Sequence, residues 1–139
     1  MNLGLLEDRD LYQLAAEIVT EDGSGVDNAQ ISGLLATIRA SGSYNMLRRM
    51  AEHQLEKARK EGDRSAGKAA FFDRLLKGLR QVDRHADDFV SESLSPVEGK
   101  PSRKEKETRR KEKARWSGRL ASTLITHIAA EHRWQGSRR

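Results

Sequence analysis

The sequence predicts an all-α protein, and three observations support this. Apolar residues recur at intervals of three and four along most of the chain, which is the spacing of helices with one buried face. Clusters of glycine, serine and proline separate these segments. Aromatic residues make up only 5%, and β-branched runs are short. We expect a four-helix bundle over roughly residues 9–20, 28–40, 44–61 and 66–90, followed by a long basic C-terminal helix over roughly residues 103–134.

The first two predicted helices have clear apolar faces. In the first, a core-facing stripe follows helical spacing at Leu11, Leu14, Ala15, Ile18 and Val19. At the start of the second, Asp27 and Gln30 have the spacing of a capping box, in which each side chain bonds the other's backbone N–H. The apolar face of this helix is formed by Ile31, Leu34, Leu35 and Ile38.

The third and fourth predicted helices follow breaks in the chain. Ser43 is expected to cap the third helix, and Gly62 to end it. The fourth has the longest apolar stripe, and Phe71 and Phe72 are expected at the centre of the core because each ring buries a large area.

The domain organisation follows from these elements. We expect a helical bundle over residues 1–94, a linker over residues 95–101 that holds both prolines, and a basic and amphipathic C-terminal helix within residues 102–139. The first half of that last helix has no apolar stripe. Its second half has one, which we expect to pack on another protein: Trp116, Leu120, Leu124 and Ile128. Trp116 is favoured as the first core residue of this half over a ring that stacks on a base.

The charge is distributed unevenly along the chain. Residues 1–99 hold 13 Lys and Arg against 17 Asp and Glu, whereas residues 100–139 hold 13 against 4. An acidic body with a basic tail indicates contact with nucleic acid or with a membrane surface. Candidate nucleic-acid contacts lie on the third helix and near the start of the C-terminal helix: Arg48, Arg49, Lys57, Arg59, Lys60, Arg109, Arg110, Lys111, Lys113 and Arg115.

The sequence shows none of the common catalytic motifs. There is no cysteine, no serine in a nucleophile-elbow context and no glycine-rich phosphate loop, so we expect neither an enzyme nor a cofactor. His127 and Glu131 share a helix face, but a zinc site needs further ligands, and no metal is expected. Asp83, Asp87 and Asp88 are expected on a solvated face. No apolar run is long enough to span a membrane, and the N-terminus does not resemble a signal peptide, so a cytoplasmic protein is expected.

Several helical segments carry a resemblance to a known family. The segments Asp8–Val19, Asp27–Ile38 and Met46–Lys57, followed by FFDRLLKGL, resemble the small helical subunit of type III CRISPR effector complexes. The motif residues lie in VDNAQISGLL (residues 26–35) and EHQLEKAR (residues 52–59). Ser32 and His53 depart from the pattern of that family, and the basic tail after Gly99 has no counterpart in it.

This resemblance implies a non-catalytic helical bundle in antiviral defence. Its implied partners are guide RNA and target RNA or single-stranded nucleic acid, the backbone subunits of a multi-subunit complex, and copies of itself. It also implies that Gln30 and Gln54 are candidate polar contacts and that Lys57 is a phosphate contact.

Two other functions remain open at this point. The second and third helices have the order of a helix-turn-helix DNA-binding motif, with Arg48 and Arg49 early in the recognition helix. Alternatively, the protein is an adaptor that docks on another protein through its amphipathic C-terminal helix.

Overall fold

The computed structural model describes residues 2–19, 25–94 and 99–137, and its regular secondary structure is entirely helical within these ranges. The elements are α1 (Leu3–Leu5), a π-helical turn (Leu6–Asp10), α2 (Leu11–Ile18), α3 (Asn28–Ser41), α4 (Tyr44–Glu61), a 3-10 turn (Gly62–Ser65), α5 (Ala66–Ser93) and α6 (Arg103–Ser137). The predicted all-α class is therefore confirmed. Of the helices in these ranges, none combines the length and the apolar character needed to cross a membrane.

The N-terminal helical segment begins at Leu3, six residues before the predicted start. Asn2 caps it, since its side chain accepts a hydrogen bond of 3.2 Å from the Leu5 N–H. Leu6 and Leu11 are both buried although they are five residues apart, and the Leu11 N–H donates to the Leu6 carbonyl, which is the hydrogen bond of a π-helical turn. This wider turn interrupts the ordinary helical spacing, so the apolar pattern of the sequence did not indicate that the helical segment begins at Leu3. The predicted end at Thr20 lies outside the described residues.

The caps of α3 and α4 agree with the prediction. The Gln30 N–H donates to Asp27 at 2.8 Å, and the Asp27 N–H donates to the Gln30 side chain at 3.0 Å, which completes the capping box. Gly42 then ends α3 with a φ of +60°, a left-handed conformation that glycine adopts without strain. Ser43 caps α4 by accepting from the Met46 N–H at 3.2 Å.

The core is centred on α5. Phe71 and Phe72 are both buried and meet edge to face, with ring centroids 5.2 Å apart and planes at 85°. The same helix buries Leu75, Leu79 and Val82 in the core. This long stripe contacts α4 on one side and α2 and α6 on the others, so α5 fixes the arrangement of its neighbours.

The second half of α6 belongs to the same core, which corrects two expectations. Leu120, Leu124 and Ile128 are fully buried, and α6 packs on α2, α3 and α5. These side chains therefore do not present a face to a partner protein, and the expected boundary after residue 94 separates two parts that share one core. Helical spacing identifies an apolar face but not what covers it. Within the predicted linker, residues 95–98 lie outside the described residues.

Candidate nucleic-acid interface

The N-terminal part of α6 is solvated on all sides. Every residue from 102 to 108 is exposed, and six consecutive helical residues point in all directions around the axis. This part of the helix is therefore not buried against any other element in the described ranges. Ser102 caps it by accepting from the Glu105 N–H at 3.2 Å, as its spacing predicts. We call residues 103–112 the basic end of α6.

Positive charge exceeds negative charge at the basic end, which holds six Lys and Arg against three Glu. Its ion pairs are long: Arg110 lies 3.7 Å from Glu107, and just beyond it Arg115 lies 3.7 Å from Glu112. Exposed pairs of this kind contribute about 0–1 kcal/mol, so a phosphate can replace them. Lys111 is exposed and makes no ion pair with any described residue, while Arg109 is half-buried.

Lys113 contacts the protein's own carboxylates. Its ammonium lies 3.3 Å from Asp83 and 3.1 Å from Asp87. Burial lowers the pKa of Lys113, but its hydrogen bonds to Asp87 and Asp83 and their negative charges outweigh burial, so the pKa is raised above its ordinary value. Lys113 is therefore paired within the fold rather than open to a ligand. Asp83 and Asp87, expected on a solvated face, are the partners of this lysine.

Trp116 marks the point where α6 enters the core. Its ring stacks on Phe89, with centroids 4.7 Å apart and planes at 14°, and it is half-buried. The guanidinium groups of Arg115 and Arg119 lie 5.4 and 5.8 Å from the ring centroid. One face of the indole is thus covered by Phe89, in agreement with a core residue rather than a base-stacking or partner-facing one.

A groove adjoins the basic end, between the start of α4, the middle of α5 and α6. Two neighbouring cavities, of about 410 and 590 Å³, share Tyr44, Asn45 and Asp83 in their walls. Four arginines from the three helices line the two cavities: Arg48, Arg80, Arg84 and Arg110. We call this feature the arginine groove.

Tyr44 forms part of the wall of the groove. Its hydroxyl donates to the Leu79 carbonyl at 2.8 Å, which attaches the first turn of α4 to α5. Burial, followed by the negative charge of Asp83, raises the pKa of Tyr44 to about 12. The hydroxyl therefore stays protonated at neutral pH and serves the fold.

Sequence reasoning missed Arg80 and Arg84 as parts of a site. They alternate with Asp83 and Asp87 along α5, a pattern typical of a solvated face. Their position near Arg48 and Arg110 depends on how three helices pack together, and no local pattern shows that.

The other basic candidates on α4 are not among the residues that line the groove. Arg59 pairs with Asp73 at 3.9 Å and Lys60 with Glu56 at 3.2 Å, near the end of α4. At a rise of 1.5 Å per residue, Arg59 lies about 16 Å along the helix from Arg48. Arg49 and Lys57 are exposed. Of the candidates on α4, Arg48 is therefore the one that lines the groove.

The two glutamines have different surroundings. The side-chain oxygen of Gln30 is used in the capping box of α3, which gives this residue a structural role. Gln54 is half-buried in α4.

His127 and Glu131 join α6 to the N-terminal helices. The His127 ring donates to the Glu7 carbonyl at 2.7 Å, and the Tyr12 hydroxyl donates to Glu131 at 3.3 Å. The Glu7 carboxylate also accepts from Arg119 at 3.0 Å and from Thr123 at 2.6 Å. No group of three or more potential metal ligands occurs in the described part of the chain. This network was not foreseen because its partners are more than 110 residues apart.

The fold and these surfaces define a helical bundle with a solvated cationic helix end and an adjoining arginine groove. In comparisons with known proteins, no family model, no curated protein and no solved structure matches this chain.

Proposed function

We propose that this protein is a non-catalytic, cytoplasmic nucleic-acid-binding subunit that contacts backbone phosphates through the basic end of α6. The observation that carries the proposal is the contrast along this helix. Its second half is fixed in the core, while its first turns are exposed on all sides with a net positive charge. A cationic surface held on a rigid element suits a polyanion.

The physical basis is electrostatic and independent of sequence. Lysine and arginine side chains that neutralise phosphates release condensed counterions, which supplies the affinity. Phosphate contacts position a protein on nucleic acid but carry no sequence information. Because the helix is formed before binding, little backbone ordering opposes the contact. We therefore expect binding that is sensitive to salt and tolerant of base sequence.

We further propose that the assembly is a CRISPR RNA-guided ribonucleoprotein, in which this chain is the small subunit. The resemblance of residues 26–35 and 52–59 to that family supports this assignment, as do the helical bundle and the cationic surface. In that setting the chain stabilises guide and target RNA and packs on backbone subunits and on copies of itself. The acidic remainder of the chain disfavours tight binding by the isolated protein, which agrees with a role inside an assembly.

The arrangement around α4 gives less support to a helix-turn-helix protein. In that motif the start of the second helix enters the major groove of DNA. Here Gly118 of α6 lies directly against the carbonyl of Gly42, in the turn before α4. A duplex that approaches the start of α4 would therefore meet α6.

A salt titration tests the phosphate contact. The dissociation constant of a fluorescein-labelled single-stranded RNA is measured by anisotropy at several salt concentrations. If all six cations of the basic end contact phosphates, the slope of log K against log salt is about −4. The triple variant Lys104→Gln, Lys106→Gln and Lys111→Gln should reduce its magnitude by about 2. A wild-type slope near zero contradicts the proposal.

Purification from the source cells tests the assembly. A tagged chain is expected to carry short RNAs of uniform length that share a common end, together with the backbone subunits. If purification yields neither RNA nor partner proteins, the CRISPR assignment is wrong, while phosphate binding by the isolated chain remains to be judged by the titration.

A further inference from the structure

We infer that the arginine groove is a second phosphate-binding site, which holds the nucleic-acid backbone where it leaves the basic end of α6. This inference rests on the proposed function and extends it from a helix end to a site built by three helices. It assigns ligand contacts to Arg80 and Arg84, which no sequence pattern indicated.

The first argument is continuity. Arg110 belongs to the basic end and also lines the groove, in the same cavity as Asn45. Asn45, Tyr44 and Asp83 also line the second cavity, which reaches Arg80 and Arg84. A strand that lies along the basic end therefore continues into the groove without crossing an intervening helix.

The second argument is charge. Five cations line the two cavities against two carboxylates, Glu52 and Asp83. Asp83 is already paired with Lys113, and the distance from Arg48 to Glu52 is 3.6 Å, so both carboxylates have cationic neighbours. Neither Arg80 nor Arg84 forms an ion pair with a described residue. The groove keeps a positive charge that the fold does not neutralise.

The third argument is the chemistry of the walls. Arginine presents a planar set of donors that binds two phosphate oxygens at once. Among the lining residues the aromatic side chain is Tyr44, which is half-buried with its hydroxyl bound to the Leu79 carbonyl, against four arginines. The groove is therefore suited to phosphates rather than to bases, and its ligand is the sugar-phosphate backbone.

The test compares two RNA lengths. The basic end spans about 15 Å of helix axis, so an RNA of about four nucleotides is sufficient to cover it, whereas one of about twelve also reaches the groove. Affinities are measured by anisotropy for the wild type, for Arg80→Gln/Arg84→Gln and for Arg39→Gln/Arg64→Gln. The last pair is a matched control of exposed arginines outside the groove.

The groove variant is expected to bind the longer RNA about tenfold more weakly, with a salt slope smaller in magnitude by about 1.4, and to bind the shorter RNA like the wild type. The control should remain within about twofold for both RNAs. If the groove variant loses affinity equally for the two RNAs, the loss is not specific to the groove and the inference is overturned. The inference is also overturned if the groove variant binds the longer RNA as tightly as the wild type does. A groove variant that binds the longer RNA like the wild type leaves the proposed function standing. A wild type that binds neither RNA overturns both the inference and the proposed function.

Discussion

Trp116 stacks on Phe89 with the two ring planes at 14° and their centroids 4.7 Å apart. One turn before it, Lys113 bonds the carboxylates of Asp83 and Asp87 on the same neighbouring helix. These two contacts attach α6 to α5 at the boundary between its solvated and its buried halves. The position of the cationic surface therefore depends on a short segment of α6.

The first prediction concerns this stacked pair. Trp116→Ala should lower the free energy of unfolding by about 3 kcal/mol, because a large half-buried ring loses its packing. A double-mutant cycle with Phe89→Ala should give a coupling of about 0.5–1.5 kcal/mol, measured by urea unfolding. Strictly additive losses would show that the two rings do not interact in solution.

The second prediction tests whether the apolar face of α6 is internal. Ala121 is fully buried and Ala130 is exposed on the same helix. Ala121→Asp should destabilise the protein by more than about 3 kcal/mol, because it places an unpaired charge in the core. Ala130→Asp makes the same chemical change at the surface and should stay within about 0.5 kcal/mol. If circular dichroism melts of the two variants coincide, α6 does not pack as described.

Much of the fold follows from local signals in the sequence. The Asp27–Gln30 capping box, the Ser43 cap and Gly62 set the bounds of α3 and α4, and α4 runs from Tyr44 to Glu61 as predicted. Such signals depend on residues within one turn of each other, so they are readable along the chain. The π-helical turn at Leu6–Asp10 violates the regular spacing, which explains the late predicted start.

The candidate site was less predictable because it depends on helix packing. The excess charge of residues 103–112 is visible in the sequence, and its exposure agrees with that pattern. Lys113 looks the same as its neighbours in the sequence, yet it is paired within the fold. Arg80 and Arg84 join the groove only because α4 and α6 lie beside α5.

The third prediction concerns the carboxylates that hold Lys113. Asp87→Asn removes one of its two partners and leaves more positive charge beside the groove. RNA affinity should rise by about 1.4- to fivefold, which corresponds to the 0.2–1 kcal/mol of an exposed ion pair. Asp88→Asn changes the charge equally at an adjacent exposed residue and should have a smaller effect in the same anisotropy assay. Equal effects would mean that only the net charge matters.

The fourth prediction concerns Gly118, where α6 meets the turn between α3 and α4. A Cβ atom at this residue would collide with the Gly42 carbonyl, a backbone atom that cannot move away alone. Gly118→Ala should therefore destabilise the protein by about 1–3 kcal/mol in urea unfolding. Gly136 has open space around it, so Gly136→Ala should be neutral or stabilise by less than about 1 kcal/mol. A stabilising Gly118→Ala would contradict this close approach.

The fifth prediction is the alkaline sensitivity that Tyr44 gives the fold. Its pKa is raised from 10.0 to about 12, with burial as the main cause, so the unfolded chain loses this proton at a lower pH than the folded protein. The stability that protonated Tyr44 contributes is complete below about pH 10 and declines as the pH rises toward 12. Tyr44→Phe has no proton to lose, and its stability should fall less steeply between about pH 9 and 11 than that of the wild type.

The same substitution separates the hydrogen bond from the titration. At about pH 8, Tyr44→Phe loses the bond to the Leu79 carbonyl and should be less stable by about 1 kcal/mol. This difference in the free energy of unfolding should shrink as the pH rises, because only the wild type has a Tyr44 hydroxyl that the unfolded chain deprotonates at a lower pH than the folded protein does. Lys113 and the other titrating groups are present in both proteins, so urea unfolding at the two ends of this range isolates Tyr44. A deficit that stays constant with pH would show that the folded protein does not protect this hydroxyl.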